Sequence, residues 1–396
     1  MVRLSQRAVH MPASPIRRLV PFADAARARG VHVHHLNIGQ PDVKTPRAMI
    51  EAYRSYDDEV LAYGPSQGLP ELRKAIADYY AGVGLAVEPS EVNVTFGGSE
   101  AVQFAFAAVA DPGDEILVFE PFYANYLGFA VAAGVGIQAV TTTADDGFAL
   151  PSDEAIEAKI GPKTKAIVFC SPGNPTGGIY SNEEMQRLGR LAEKHDLVLI
   201  SDEVYREFAY GVPVTSALTL PCAKERVVVV DSVSKRYSAC GARVGCVIAK
   251  NPALTDAFMR MCFARLCPAT VDQRAAVEAY RTPTSYFDDV VREYQARRDV
   301  LVDGLNLIEG VSAPKPAGAF YAIVTLPVAD ADRFAQWLLT DFSHEGETVM
   351  VAPASGFYSD PTLGQHQARI AYVLHVEALA RCVEIMQVAL QTYRDE

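Results

Sequence analysis

Short, almost wholly apolar runs alternate with helical patterns over most of this chain. Val92–Thr95 reads as a strand that passes through Gly97-Gly98 into a helix over Ser99–Ala110. The turn Asp111-Pro-Gly-Asp114 introduces the next strand, Glu115–Phe119. Ala166–Cys170 follows and ends at Ser171-Pro-Gly-Asn-Pro-Thr-Gly177. Ser181-Asn-Glu-Glu184 has the Ser-x-x-Glu pattern in which the two side chains cap each other's backbone N–H groups, so a helix opens there. His195–Ser201, Arg226–Asp231 and Gly241–Ala249 are further apolar runs. Runs without polar alternation predict strands buried on both faces. Alternated with helices, they predict an α/β architecture with a mostly parallel sheet covered on both sides.

After about Thr282 the texture changes. A long helical pattern over Tyr286–Leu307 precedes short strands around Gly318–Leu326 and Arg369–Val373, which predicts a smaller α+β domain. A chain of 396 residues exceeds one ordinary core, so a large domain with a smaller partner is expected. The expected division is an N-terminal arm contributing to the small domain (1–45), a large domain (46–282) and a small C-terminal domain (283–396).

Composition narrows the function classes. The formal charge of −12 gives a surface that does not attract nucleic acid or anionic membrane, though local arginines can still oppose the global sign. The seven cysteines (170, 222, 240, 246, 262, 267 and 382) show no Cys-x-x-Cys spacing, so reduced core thiols are expected rather than zinc or disulfides. No apolar run is long enough to span a bilayer, and the N-terminal residues lack a signal-like stretch, so a cytoplasmic protein is expected. His32, His34 and His35 lack accompanying carboxylate or thiol ligands at metal spacing, and no metal is expected. Neither Gly-x-Gly-x-x-Gly nor a phosphate-loop lysine pattern occurs.

Four polar residues fall at or just beyond strand ends: Asn174, Asp202, Tyr205 and Lys235. Singly they say little. Asn174 suits a turn, Tyr205 suits a core, and a lysine after a strand usually faces solvent. Their contexts say more. Asp202 directly follows the apolar run Leu197–Ile200, where a partly desolvated carboxylate needs a cationic partner. Lys235, in Ser232-Val-Ser-Lys-Arg-Tyr237, follows four consecutive valines; a lysine there can shed solvent and act as an amine nucleophile. Arg243, set among glycines in Cys240-Gly-Ala-Arg-Val-Gly245, suits an oxyanion such as phosphate.

The order Asn-Pro-x-Gly, Asp-x-x-Tyr, Ser-x-Ser-Lys, Arg-x-Gly resembles the fold-type I aminotransferases that use pyridoxal 5'-phosphate (PLP), in the class that includes aspartate aminotransferase. Leu36-Asn-Ile-Gly-Gln-Pro-Asp42, Tyr63-Gly-Pro-Ser-Gln-Gly-Leu-Pro-Glu-Leu-Arg73, Gly97-Gly-Ser-Glu-Ala101 and Ala368-Arg-Ile-Ala371 extend the likeness over almost the whole chain. The resemblance implies a seven-stranded sheet in the large domain and a homodimer with shared active sites. It implies that Lys235 holds PLP as a Schiff base and moves the substrate Cα proton, and that Asp202 keeps the pyridine nitrogen protonated. Asn174 and Tyr205 would bond the phenolic oxygen. Arg243, Ser232 and the N–H groups of Gly98 and Ser99 would hold the phosphate. Tyr63 would reach the phosphate of the neighbouring subunit. In Phe119-Glu-Pro-Phe-Tyr-Ala-Asn125, Tyr123 is expected to stack on the ring, with Phe122 as the alternative. Arg369 would grip the substrate α-carboxylate, with a backbone contact from Gly39.

Two departures bear on specificity. Ala242 stands where the family often has tryptophan before the phosphate-site arginine. Ser99 stands where some relatives carry a lysine for a distal carboxylate, which leaves Arg265 as the candidate, supplied across the dimer interface. The expected reaction is amino transfer between an L-amino acid and a 2-oxo acid, with aspartate- or glutamate-type donors and 2-oxoglutarate as acceptor. Aromatic or aliphatic amino acids are the alternative donors. A PLP-dependent lyase, decarboxylase or synthase would share the cofactor residues, but Arg369 favours chemistry that retains the carboxylate. A non-enzymatic effector-sensing role would call for an added DNA-binding domain.

Overall fold

In the computed structural model, which describes residues 2–393, the strands follow chain order. The first, β1, spans His32–His35. Seven more build one sheet: β2 (Val92–Thr95), β3 (Glu115–Glu120), β4 (Gly136–Thr141), β5 (Thr164–Cys170), β6 (Val198–Asp202), β7 (Val227–Ser232) and β8 (Gly245–Ala249). The rest are β9 (Tyr321–Thr325), β10 (Glu347–Met350), β11 (Ala352–Pro353) and β12 (Gln367–Ala371). The large sheet runs β2-β8-β7-β6-β5-β3-β4, with β8 antiparallel to both its neighbours and the other pairs parallel.

Side-chain alternation in the central strands explains the continuous apolar runs. Val227 and Val229 of β7 join one core cluster with Ile167 and Leu199. Val228 and Val230 join the other with Val168 and Ile200. Each strand is therefore apolar on both faces, as burial under two helical layers requires. The Ser181 capping box forms as expected: Glu184 N–H donates to Ser181 Oγ (3.2 Å) and Ser181 N–H to Glu184 Oε2 (2.7 Å).

Three details differ from the sequence pattern. The strand expected from His195 begins at Val198, because the preceding helix (Asn182–Lys194) closes through Leu197 N–H onto Ala192 O, with Asp196 left-handed at φ 53°. The run expected from Gly241 becomes strand only at Gly245, after a turn of 3-10 helix over Cys240–Ala242. The edge strand β4 was not expected; it is largely half-exposed, so it lacks the fully apolar run of its neighbours.

In the C-terminal part, β11, β12 and β9 form an antiparallel sheet, and β1 pairs in parallel with β10. Leu19, Ala23, Val33 and Leu36 share a core with Leu338, Val349 and Ile385, so the N-terminal segment folds onto residues three hundred positions away. The expected long helix spans Ser285–Leu305. Among the described residues, no helix is long and apolar enough to cross a membrane. All seven cysteines are free.

The carboxyl ends of β2, β5, β6 and β7 lie along one edge of the large sheet. Thr95 and Ser232 both sit opposite Gly245, and Cys170 sits opposite Asp202. The absence of a side chain at Gly245 sets how closely the following helix, Gly97–Val109, approaches: a Cβ there would lie 2.5 Å from the Gly97 carbonyl carbon and 2.7 Å from Gly98 N. At Gly97 itself φ is +75°, and a Cβ would meet the Arg243 guanidinium at 2.4 Å. These two glycines let a helix N-terminus, the end of β7 and Arg243 converge.

Candidate active site

At that edge a cavity of about 440 Å³ opens between the large sheet and the C-terminal part. Most of the residues singled out from the sequence line it. Asn174, Asp202, Tyr205, Ser232 and Lys235 come from the ends of β5, β6 and β7. Gly98 and Ser99 enter from the first helical turn after β2, and Arg243 from the turn before β8. Gly39 and Arg369 come from the segment after β1 and from β12, and Tyr123 from the loop after β3.

Asp202 is buried, and burial pushes its carboxyl up to about 6. Tyr126 Oη donates to it at 2.8 Å and Val204 N–H at 3.4 Å, and no cation pairs with it among the described residues. Arg369 presents the opposite deficit. Its guanidinium is 2% exposed, lies 4.6 Å from the Tyr321 ring and 5.0 Å from the Phe357 ring, and has no carboxylate partner among the described residues. It donates to Asn174 Oδ1 (3.2 Å) and Asn37 O (2.5 Å), while its Nε has no hydrogen-bond partner among the described residues. Burial depresses its pKa from the usual arginine value. A buried charge without a counter-ion is costly, and both of these groups border the cavity, the side from which an opposite charge can reach them.

Lys235 Nζ donates to Gly39 O at 2.6 Å and lies 3.8 Å from Cys240 Sγ. Asn174 Nδ2 donates to Tyr205 Oη at 3.4 Å, and Tyr205 Oη lies 3.0 Å from Tyr321 Oη. Burial holds the Tyr205 hydroxyl far above its ordinary pKa, so it stays a proton donor. Ser234 N–H donates to Ser232 Oγ (2.9 Å), and Arg243 is anchored by its own Nη1 to Cys240 O (3.0 Å). Gly98, Ser99, Ser232 and Arg243 line the cavity together at a helix N-terminus, where backbone N–H groups and the helix dipole favour negative charge. Tyr123 lines the cavity, whereas Phe122 is packed into the core behind it.

Two of the expected residues were assigned to a neighbouring subunit's site, and in this chain both lie outside the cavity. Arg265 is engaged within the chain: it pairs with Glu100 at 2.8 Å and donates to Ser66 O and Val94 O, both at 3.1 Å. Tyr63 is 83% exposed and lies outside the cavity. Conversely, Tyr321, Tyr126, Asn37 and Arg17 belong to the cavity or its immediate support and were not expected. Tyr321 begins β9 and covers Gly39 so closely that a Cβ there would overlap its hydroxyl. Of the histidine triplet, His34 Nε2 meets Glu347 Oε2 at 2.5 Å across the β1–β10 pair. No group of three or more His, Cys, Asp or Glu among the described residues could hold a metal.

The sequence profile of the family described as "Aminotransferase class I and II" matches residues 31–386. The aspartate/prephenate aminotransferase of Thermus thermophilus is 33% identical, covering 96% of this chain and 97% of that one. The aspartate aminotransferase of Thermotoga maritima is 32% identical, covering 96% and 97% respectively. The solved structure of alanine aminotransferase from Pyrococcus furiosus superimposes with a TM-score of 0.90 at 32% identity, covering 99% of this chain and all (100%) of that one.

Proposed function

Because the chain belongs to the class I and II aminotransferases and is an enzyme of that kind, we propose that its cofactor is pyridoxal 5'-phosphate and its favoured donors are aspartate or glutamate. 2-Oxoglutarate is the proposed acceptor. The observation that carries this reading is the pairing of two uncompensated buried charges, Asp202 and Arg369, with Lys235 in one cavity.

The residues fit the cofactor. The Gly98–Ser99 turn, Ser232 and Arg243 would hold its phosphate, and Asp202 would face its ring nitrogen as the missing counter-charge. Asn174 Nδ2 and Tyr205 Oη would donate to its phenolic oxygen, and Tyr123 would stack on its ring. When bound, it supplies an electron sink for charge developing at the substrate Cα and carries the amino group between half-reactions. The protein supplies the rest. Asp202 keeps the proton on the nitrogen that it faces. Lys235 Nζ takes the proton from Cα, and Arg369 fixes the α-carboxylate by its planar fork so that the Cα–H bond is held in one orientation. The apolar platform of Tyr321 and Phe357 under Arg369 keeps water from competing for that contact.

Arg369→Lys is expected to raise KM roughly 10- to 100-fold for acidic and neutral amino acids alike, because a point charge replaces a two-pronged grip on a group that all of them share. Steady-state kinetics with both substrate types checks this; an unchanged KM would remove Arg369 from the site.

Relatives named for aspartate and a cavity with more cations than carboxylates support acidic donors. Val20, Val102 and Phe129 in the cavity wall favour, as a second reading, donors with apolar side chains. The deciding experiment incubates the PLP-loaded enzyme with single amino acids and records which convert the cofactor to its amine form. Conversion by aromatic or aliphatic donors, with none by aspartate or glutamate, would establish the second reading instead. Exposed Val60, Leu61 and Tyr63 support a homodimer in which Tyr63 reaches the partner subunit's cofactor.

A further inference from the structure

We propose that Arg17 is the residue that recognises the distal carboxylate of a dicarboxylic substrate, an assignment that rests on the acidic-donor reading above. Among the described residues, four cations line the cavity, namely Arg17, Lys235, Arg243 and Arg369, against the single carboxylate of Asp202. Three of the four have partners under that reading: the reacting centre, the phosphate and the α-carboxylate. Arg17 has none. Among the described residues its guanidinium has no hydrogen-bond or ion-pair partner, although its immediate neighbour Arg18 is paired with Asp332.

The surrounding segment is anchored against the C-terminal part. Its N–H donates to Ser14 Oγ at 3.2 Å. Pro15 sits so close to Gly356 that a Cβ there would lie 2.5 Å from it. Ile16 packs on the cluster that contains Ile323 and Phe357, and Leu19 is buried in the C-terminal core. Phe357 links the two ends of the proposed grip, since its ring is also one wall of the Arg369 site. The backbone of Arg17 is thus held beside the apolar platform of the α-carboxylate site, and its exposed, unpaired planar fork lies at the border of the same cavity. Such a fork suits a carboxylate, and fixing its backbone beforehand lowers the entropy lost on binding. Within this chain Arg265 is paired with Glu100, and position 99 is a serine.

The test uses the PLP-loaded enzyme and the amino-acid half-reaction alone, so that no acceptor adds a second carboxylate effect. Arg17→Ala is expected to lower the ratio of kcat/KM for glutamate to that for alanine by about 10- to 100-fold, with Arg17→Lys recovering part of it. Maleate, a dicarboxylate, should stabilise the wild-type holoenzyme against heat much more than it stabilises Arg17→Ala. Arg18→Ala, which loosens the same segment without touching the cavity charge, should leave the ratio in place. If wild type uses glutamate and Arg17→Ala keeps the ratio, or lowers both rates equally, the assignment of Arg17 is overturned while the acidic-donor reading stands. A wild-type enzyme that takes alanine or aromatic donors and no dicarboxylate overturns both.

Discussion

Replacing Lys235 with alanine is expected to lower kcat by at least about 10⁴-fold, since it removes both the amine nucleophile and the proton carrier. The same change should barely alter the fold. In the free protein, Lys235 makes one good hydrogen bond, to Gly39 O at 2.6 Å, and a long contact to Cys240 Sγ. Losing that bond costs about 1 kcal/mol, a shift of a few degrees at most in a chain of this size. Two measurements separate the effects: single-turnover rate with a saturating amino acid, and the visible absorbance of cofactor that survives dialysis. Normal turnover together with retained, covalently held cofactor in the alanine variant would overturn the assignment. Loss of turnover through global unfolding would show instead as a large fall in the melting temperature.

Asp202→Asn is expected to act in opposite directions on activity and on the stability of the cofactor-free protein. For activity, removal of a fixed charge aimed at the reacting system should lower kcat by roughly 10²- to 10³-fold. For stability, burial has raised the Asp202 carboxyl from its ordinary 3.8 to about 6, so the folded state holds the proton more tightly than the unfolded chain does. The stabilisation from that proton is fully present below about pH 4, is lost as the pH climbs through about 6, and is absent at neutral pH. The span corresponds to about 3 kcal/mol. Asparagine keeps the size and removes the ionisation, so cofactor-free Asp202→Asn should be more stable than wild type at pH 7.5 and should lack this part of the pH slope. Urea unfolding of both proteins between pH 5 and 8, without cofactor, checks it. Equal stabilities across that range, with equal kcat values, would mean that the buried charge has no task.

Much of this site was legible in the sequence because its chemistry sits at strand ends. A run such as Val227–Val230 must be buried, so the polar residues that follow it are delivered to the edge of the sheet wherever the rest of the chain goes. Asp202 at the end of β6, Lys235 after β7 and Asn174 after β5 stood out for that reason, and the parallel order of those strands places them side by side. The glycine-bounded Arg243 and the Gly97-Gly98 turn were recognisable through the local backbone that they need. The half-exposed edge strand β4 was hidden because it lacks the apolar run that marks its neighbours.

What the linear pattern left open was which charges would find partners. Arg265 and Arg17 are alike on the page, each an arginine next to apolar residues. The fold sets Arg265 against Glu100, which is 165 positions away, so within this chain it is already paired. It carries the N-terminal segment onto the C-terminal core, where Arg18 takes Asp332 and Arg17 is left facing the cavity. Arg369 likewise meets Asn37 and Tyr321 only through that closure. The sequence by itself determined the sheet and the polar residues along its edge, because burial and strand direction are local consequences of the apolar pattern. The tertiary structure alone decided which cations stay uncompensated, because whether a charge is neutralised depends on neighbours that are distant in the chain and only a few ångströms away in space.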